Sequence, residues 1–306
     1  MHTIDIVDLT KDYGQGRGVF DVSFYVNKGE CFGFLGPNGA GKSTTIRHLM
    51  GFSIPDKGRT YINGQDTRYN RDIIFQNVAY VPGEVVLPRN LKGTEVVKEQ
   101  RQLKGVHDDK LYKELKDYLR LNPNLNCKEM DLGRKQKRAI VCAFRSNPDI
   151  IILDEPSSGL DPERQDKFVD FILDLKKKGK TILLSSHIFS EVDACCDRIA
   201  VIKDGKIVSQ ILADSLKHKR EKKYVLTYAN RKNRKNANER LLQEGFKVTE
   251  SEKEPVLIVD ADDKDINKLL CNRNREGRTD FKEIKETLED YFMSFYKEDL
   301  DYGGIK

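Results

Sequence analysis

The chain has 306 residues, 34% charged and 38% hydrophobic, and its 54 Lys and Arg against 49 Asp and Glu give a formal net charge of +5. At roughly 100–200 residues per domain this is two domains, or one large domain with an appendage, and it is long enough to bury a sizeable core. Mean hydropathy is −0.62, no apolar run approaches the ~18 residues of a membrane span, and the opening MHTIDIVDLTKDY lacks the apolar segment of a secretory leader, so neither an integral membrane protein nor a secreted one is expected, and the small charge excess gives no reason to expect nucleic acid.

Residues 4–9 and 19–26 read as strands. In the second, Phe20, Val22, Phe24 and Val26 alternate with Asp21, Ser23 and Tyr25, which is a half-buried strand pattern. Cys31–Leu35 (CFGFL) is a short apolar run that opens into a Gly-rich turn, residues 42–50 read as helix, and RTYING (59–64) reads as a strand ending in a turn. From about Leu91 to Phe144, residues Leu103, Leu111, Leu115, Tyr118 and Leu119 recur at helical spacing among many charges, predicting a small helical insertion. Strand and helix then alternate: DIIILD (149–154), a helix over 162–178, TILLSS (181–186), a helix near 188–195, and RIAVI (198–202). Asp204-Gly205 fits a hairpin turn into KIVSQIL. Alternation of this kind implies an α/β core with a mainly parallel sheet.

A boundary falls near Asp214, separating a domain of 1–213 from a small α+β accessory domain of 214–306. Residues 217–235 are rich in Lys and Arg with one acid, Glu221. That composition suits a solvated face, or a surface near anionic lipid headgroups or acidic partners. YVLTY (224–228), FKVTE (246–250) and PVLIVD (255–260) read as strands, and 281–296 as a helical tail. The six cysteines, Cys31, Cys127, Cys142, Cys195, Cys196 and Cys271, form no CxxC pair and stand beside no His cluster, so reduced, mostly structural thiols are expected.

The chemistry concentrates in two motifs. Gly36-Pro37-Asn38-Gly39-Ala40-Gly41-Lys42-Ser43 matches GxxxxGK[ST] in full, with Thr44 next, and lies between a predicted strand and a predicted helix. Glycines let successive N–H groups face phosphate oxygens, and the helix start adds its positive dipole. Lys42 would place a charge on the β/γ-phosphates and Ser43 would ligate Mg²⁺. The second motif is Ile150-Ile151-Ile152-Leu153-Asp154-Glu155, an apolar strand ending in two carboxylates. Asp154 reads as the metal-side carboxylate, and Glu155 as the group that polarises water in line with the γ-phosphate.

Together these motifs resemble the nucleotide-binding subunit of an ATP-binding-cassette (ABC) transporter over about residues 2–212. The resemblance implies a phosphate-loop NTPase core with an N-terminal antiparallel β subdomain, a helical subdomain at about 91–144 and a C-terminal α+β extension. It also implies ATP and Mg²⁺ as cofactors. By it, Tyr13 is the aromatic that stacks on adenine, Ser158-Gly159-Leu160-Asp161 is the D-loop at the dimer interface, and His187 is the switch histidine. Asp161 also suits an N-cap before Pro162. The family's LSGGQ signature aligns with Met130-Asp131-Leu132-Gly133-Arg134, where only Gly133 is retained. In the family the serine at the Asp131 position bonds a γ-phosphate held by the opposite subunit. A carboxylate about 4 Å from another negative charge costs on the order of 4 kcal/mol at an effective dielectric near 20. Arg134 would offset part of that, and Asp131 would also serve as an N-cap. The Q-loop position holds Gly83, with Glu84 next as a candidate oxygen for the metal.

The tail TLEDYFMSFYKED (287–299) resembles the extension of ABC-2-type exporter ATPases, with Leu288, Phe292 and Phe295 on an apolar helix face. The implied function is ATP hydrolysis that energises a separate transmembrane permease, in the export direction. The implied setting is the cytoplasmic face of the cell membrane, as a homodimer or as a heterodimer with a second ATP-binding subunit. A catalytically weak cassette that gates a partner, and a non-transport cassette ATPase acting on ribosomes or DNA, are the alternatives.

Overall fold

Strands buried at every position form the centre of the fold, and strands that alternate form its flanks. In this computed structural model, residues 2–88, 90–104, 110–144, 146–217, 222–251, 254–262, 265–270, 277–284 and 288–301 are described. The expectations on Lys219, Arg220, Glu221, Cys271 and Thr287 lie outside them. The chain divides into two units, Met1–Ala213 and Asp214–Lys306.

The first unit runs β1 (His2–Asp12), β2 (Gly18–Asn27), β3 (Cys31–Leu35), α1 (Lys42–Leu49), β4 (Lys57–Ile62), β5 (Gln65–Asp66), α2 (Arg71–Asn77), β6 (Val78–Val81), α3 (Gly93–Lys104), α4 (Lys110–Tyr118), α5 (Leu132–Phe144), β7 (Ile150–Asp154), α6 (Pro162–Lys177), β8 (Thr181–Ser186), α7 (Phe189–Cys195), β9 (Arg198–Lys203) and β10 (Lys206–Leu212). A six-stranded sheet has the order β10-β9-β3-β8-β7-β6. β9, β3, β8, β7 and β6 are parallel, and β10 closes the edge antiparallel to β9. β3, β7 and β8 are buried at every residue, as strands covered on both faces must be. A second sheet, β2-β1-β4-β5, is antiparallel. There Val22, Phe24 and Val26 face inward and Asp21 and Tyr25 outward. Phe24 stacks on Phe32 of β3 at 5.0 Å and joins the two sheets in one core.

Between β6 and β7 the chain leaves the sheet for α3, α4 and α5. Val96, Val97, Cys127, Met130 and Cys142 form the separate apolar cluster of this helical insertion. α6 begins where Asp161 accepts a hydrogen bond from Arg164 N and Pro162 takes a first-turn position.

The second unit follows through α8 (Ala213–Lys217), β11 (Lys222–Tyr228), α9 (Arg231–Gln243), β12 (Lys247–Glu250), β13 (Val256–Ala261), α10 (Ile266–Leu270), β14 (Arg278–Ile284) and α11 (Leu288–Asp301). Its antiparallel sheet has the order β12-β13-β11-β14. The βαββαβ sequence with this order is ferredoxin-like. Tyr224, Leu226, Leu241, Leu257 and Val259 are central to its core. One reading is corrected here: residues 281–284 continue a strand, because Phe281 pairs with Leu226 across β11 and β14, and the helical tail starts at Leu288. The end of the basic stretch, 231–235, opens α9, which is capped by the Asn230 side chain and anchored by Ala237 and Leu241, and Arg231, Lys232 and Lys235 are exposed on it.

Candidate functional site

The carboxyl ends of β3, β8 and β7 lie side by side, with Leu35 in register with Ser186 and Asp154 with Ser185. In open α/β sheets this edge is where ligands bind. The loop 36–41 leaves β3 there and returns as α1. Gly36 and Gly41 cannot be replaced without a clash: a Cβ at Gly36 would stand 2.4 Å from Ile202 O, and one at Gly41 would stand 2.7 Å from Val19 Cγ1. Gly41 also has φ of +110°, which an L side chain adopts only under strain. Pro37, Asn38, Gly39 and Ala40 form the turn, with Ala40 N donating to Pro37 O. The first amides of α1, at Lys42, Ser43 and Thr44, are those that a helix start leaves without a carbonyl partner one turn back.

Lys42 is buried at 3% exposure. Its Nζ donates to Gly36 O at 2.7 Å and Pro37 O at 3.0 Å and pairs with Glu155 Oε1 at 3.0 Å. The other Glu155 oxygen, Oε2, lies 3.2 Å from His187 Nδ1. Glu155 has φ of +47°, a conformation costing a non-glycine residue about 1–3 kcal/mol. Its N–H, donating to Ser185 O at 3.0 Å, helps to hold it there. Asp154 is buried, and its Oδ1 accepts from Ser185 Oγ at 2.7 Å. Burial, with Asp154 nearby, pushes the Tyr80 hydroxyl up to about 12.

Other expected site residues lie further out. Tyr13 is exposed on the loop between β1 and β2, with Lys11 Nζ 5.9 Å from its ring centre. Asp131 Oδ1 accepts from Arg134 N at 2.8 Å, capping α5, and Arg134 Nε lies 3.5 Å from Oδ2. Gly133 approaches the D-loop, since a Cβ there would stand 3.1 Å from Gly159 O. Asp161 pairs with Arg164 at 2.7 Å. Glu84 is exposed on the turn after β6. Beside it, a Cβ at Gly83 would stand 3.0 Å from the Asp154 main-chain O, so the chain here passes close to the end of β7.

Three features escaped the sequence reading. Glu191, in α7, is buried beneath the loop that carries Glu155. Gln136 is fully buried and reaches Pro82 O at 3.5 Å. The sulfurs of Cys31, Cys195 and Cys196 gather within 4.8 Å of one another behind β3, although no spacing in the sequence relates Cys31 to the other two.

The family model described as ABC transporter matches residues 19–158, and one described as AAA domain, putative AbiEii toxin, Type IV TA system, matches 132–193. An uncharacterized ABC transporter ATP-binding protein of Bacillus subtilis is 30% identical over 93% of this chain and 94% of its own length. The chain belongs to the ABC transporter ATP-binding proteins. The Bacillus match runs through both units, so the cassette and its extension occur together in a relative. The Nod factor export ATP-binding protein I of Sinorhizobium fredii is 34% identical to the cassette over 66% of this chain and 61% of its own length. A solved ATP-binding subunit of an ABC transporter covers 70% of the chain at 31% identity, with a TM-score of 0.63 and 92% of its own chain matched. The cassette is an ATPase of α/β fold, and among the described residues no helix is long and apolar enough to cross a membrane.

Proposed function

We propose that this ABC ATPase hydrolyses ATP to drive a separate transmembrane permease in the export direction. The observation that carries the reading is Glu155, held on a strained turn between Lys42 at 3.0 Å and His187 at 3.2 Å. The amides at 39–44 and the start of α1 hold the phosphates, Lys42 supplies charge at the β/γ positions, and the Tyr13 ring offers a stacking face to adenine. Glu155 takes the proton of the attacking water, and His187 hydrogen-bonds the γ-phosphate. Ser43 and Asp154 are hard oxygen donors of the kind Mg²⁺ takes, and Ser185 fixes the Asp154 carboxylate for that purpose. The bound ion would neutralise charge on the phosphates.

Two such cassettes, identical or paired with a second ATP-binding subunit, would close head to tail with Asp131, Gly133 and Asp161 at the interface. A groove of about 270 Å³ lined by Phe75, Tyr80, Pro82, Val85, Leu87 and Cys142 offers an apolar surface for the permease. The cassette would then sit at the cytoplasmic face of the membrane. Export is supported by the similarity to the Nod factor export ATP-binding protein and by the resemblance of the tail. The test is phosphate release from ATP by the purified chain, which Glu155→Gln should abolish while nucleotide still binds; equal turnover in both proteins would overturn the reading. A second reading, a cassette that binds ATP and gates a partner with little turnover, is favoured by the carboxylate at Asp131.

A further inference from the structure

Glu191 is 4% exposed and has no part in the hydrolysis chemistry described above. It lies in α7, one helical turn beyond His187. Its Oε2 accepts hydrogen bonds from Ser186 Oγ at 2.6 Å and from Ser157 Oγ at 3.0 Å. Ser186 Oγ in turn accepts from Ile188 N at 3.0 Å. Ser186 immediately precedes His187, and Ser157 stands two residues after Glu155. A single carboxylate oxygen therefore ties together the two segments that carry the site's paired groups. The other oxygen, Oε1, is buried without a hydrogen-bond partner among the described residues. An unsolvated carboxylate oxygen is costly to retain.

We propose that Glu191 is a positioning residue that clamps the loop after Glu155 to the end of β8, and that its ionised form holds Glu155 and His187 in working register. The inference rests on Glu155 acting as proposed above. Hydroxyl donors bind a carboxylate about twice as strongly as a neutral acid, so protonation loosens the clamp. Burial pushes the Glu191 carboxyl up to about 7, the Ser186 and Ser157 hydroxyls pull it down, and Cys195 and Glu155 push it up again. Other groups around α7 are His187 at its start, Lys176 of α6, whose Nζ reaches Cys195 O at 3.2 Å, and the Cys31 thiol of β3.

Activity and stability should then respond to pH with opposite signs. The carboxyl is raised in the folded state, so its contribution to stability is full below its unfolded value near 4.5 and is lost as pH rises through about 7. Turnover gains over the same upper range, as the clamp ionises.

The experiment is a pH series of ATPase kinetics and thermal unfolding on full-length wild type, Glu191→Gln and Ser157→Ala. Glu191→Gln should lower kcat at pH 8 by on the order of 10–100-fold with KM for ATP within about twofold. It should also lose the acidic limb near pH 7, and its Tm relative to wild type should rise between pH 6 and 8. Ser157→Ala removes a donor to the carboxylate, so its acidic limb should move to higher pH. Superimposable wild-type and Glu191→Gln pH profiles would overturn the proposal, as would a loss confined to KM. The unfolding series does not depend on hydrolysis, so a failure of the Glu155 assignment, seen as undiminished turnover in Glu155→Gln, stays distinguishable.

Discussion

Lys42 Nζ and Glu155 Oε1 form an ion pair of 3.0 Å, with the lysine side chain 3% exposed and the glutamate 19%. Lys42 is further satisfied by two carbonyls of its own loop. Under the proposed assignment, a triphosphate that recruits this lysine would compete with Glu155 for it, so nucleotide entry would also release the proposed general base. His187, on the other glutamate oxygen, is then the remaining neighbour that orients it.

Glu155→Gln should retain nucleotide binding and lose about 10²–10⁴-fold in steady-state phosphate release, the usual worth of a general base. With ATP it should also elute as a trapped dimer on size exclusion, because closure without hydrolysis is not reversed.

Gly36→Ala should disrupt the loop from behind. The added methyl would meet the Ile202 carbonyl at 2.4 Å, and main chain yields less readily than a side-chain tip. A loss of about 1–3 kcal/mol in denaturant unfolding is expected from such overpacking, together with weakened ATP binding by calorimetry. Gly39→Ala separates strain from crowding: nothing lies within 4 Å of its Cβ position, but its φ of +82° strains an L side chain, so any loss there reports backbone strain alone.

Tyr13→Ala should weaken ATP and GTP alike. The ring is half exposed, so the loss should lie near the low end of the roughly 1–3 kcal/mol of base stacking. Unchanged affinity for both nucleotides in a fluorescence titration would remove Tyr13 from the base platform.

Asp131 separates cap from charge. Asp131→Ala removes the acceptor for Arg134 N and should cost about 1 kcal/mol of unfolding free energy. Asp131→Ser keeps a cap and removes the charge, so stability should hold while ATP-dependent dimerisation rises, most visibly with Glu155→Gln in the background. Asp131→Asn should match Ser if charge dominates and fall short of it if the hydroxyl matters. Dimerisation unaltered in both would leave Asp131 as a helix cap only.

The parts of the site that were legible in the sequence are those with a local cause. Residues 36–43 announce a phosphate loop because backbone geometry there requires glycine at set positions, and Ile150–Leu153 announces a central strand because no residue in it tolerates water. Glu191 was not legible. A glutamate in a short helix reads as surface charge, and only the folding of residues 155–161 over α7 buries it. The sulfur cluster was hidden for the same reason, since β3 and the end of α7 meet only in the folded sheet. At 281–284 the helical periodicity of the following segment masked a strand whose pairing with β11 is a long-range contact.

The rear of the phosphate loop is joined to its surroundings through main-chain atoms. Gly205 N donates to Ala40 O at 3.0 Å, Phe20 N donates to Gly205 O at 2.8 Å, and a Cβ on Gly205 would stand 2.5 Å from Gly18 O. The hairpin turn between β9 and β10 is thus wedged between the loop 36–41 and the strand that follows Tyr13. The separation of those two segments is held by main-chain contacts rather than by side-chain packing. With Tyr13 on the base and the loop on the phosphates, as proposed, this wedge would make the site a caliper of fixed span.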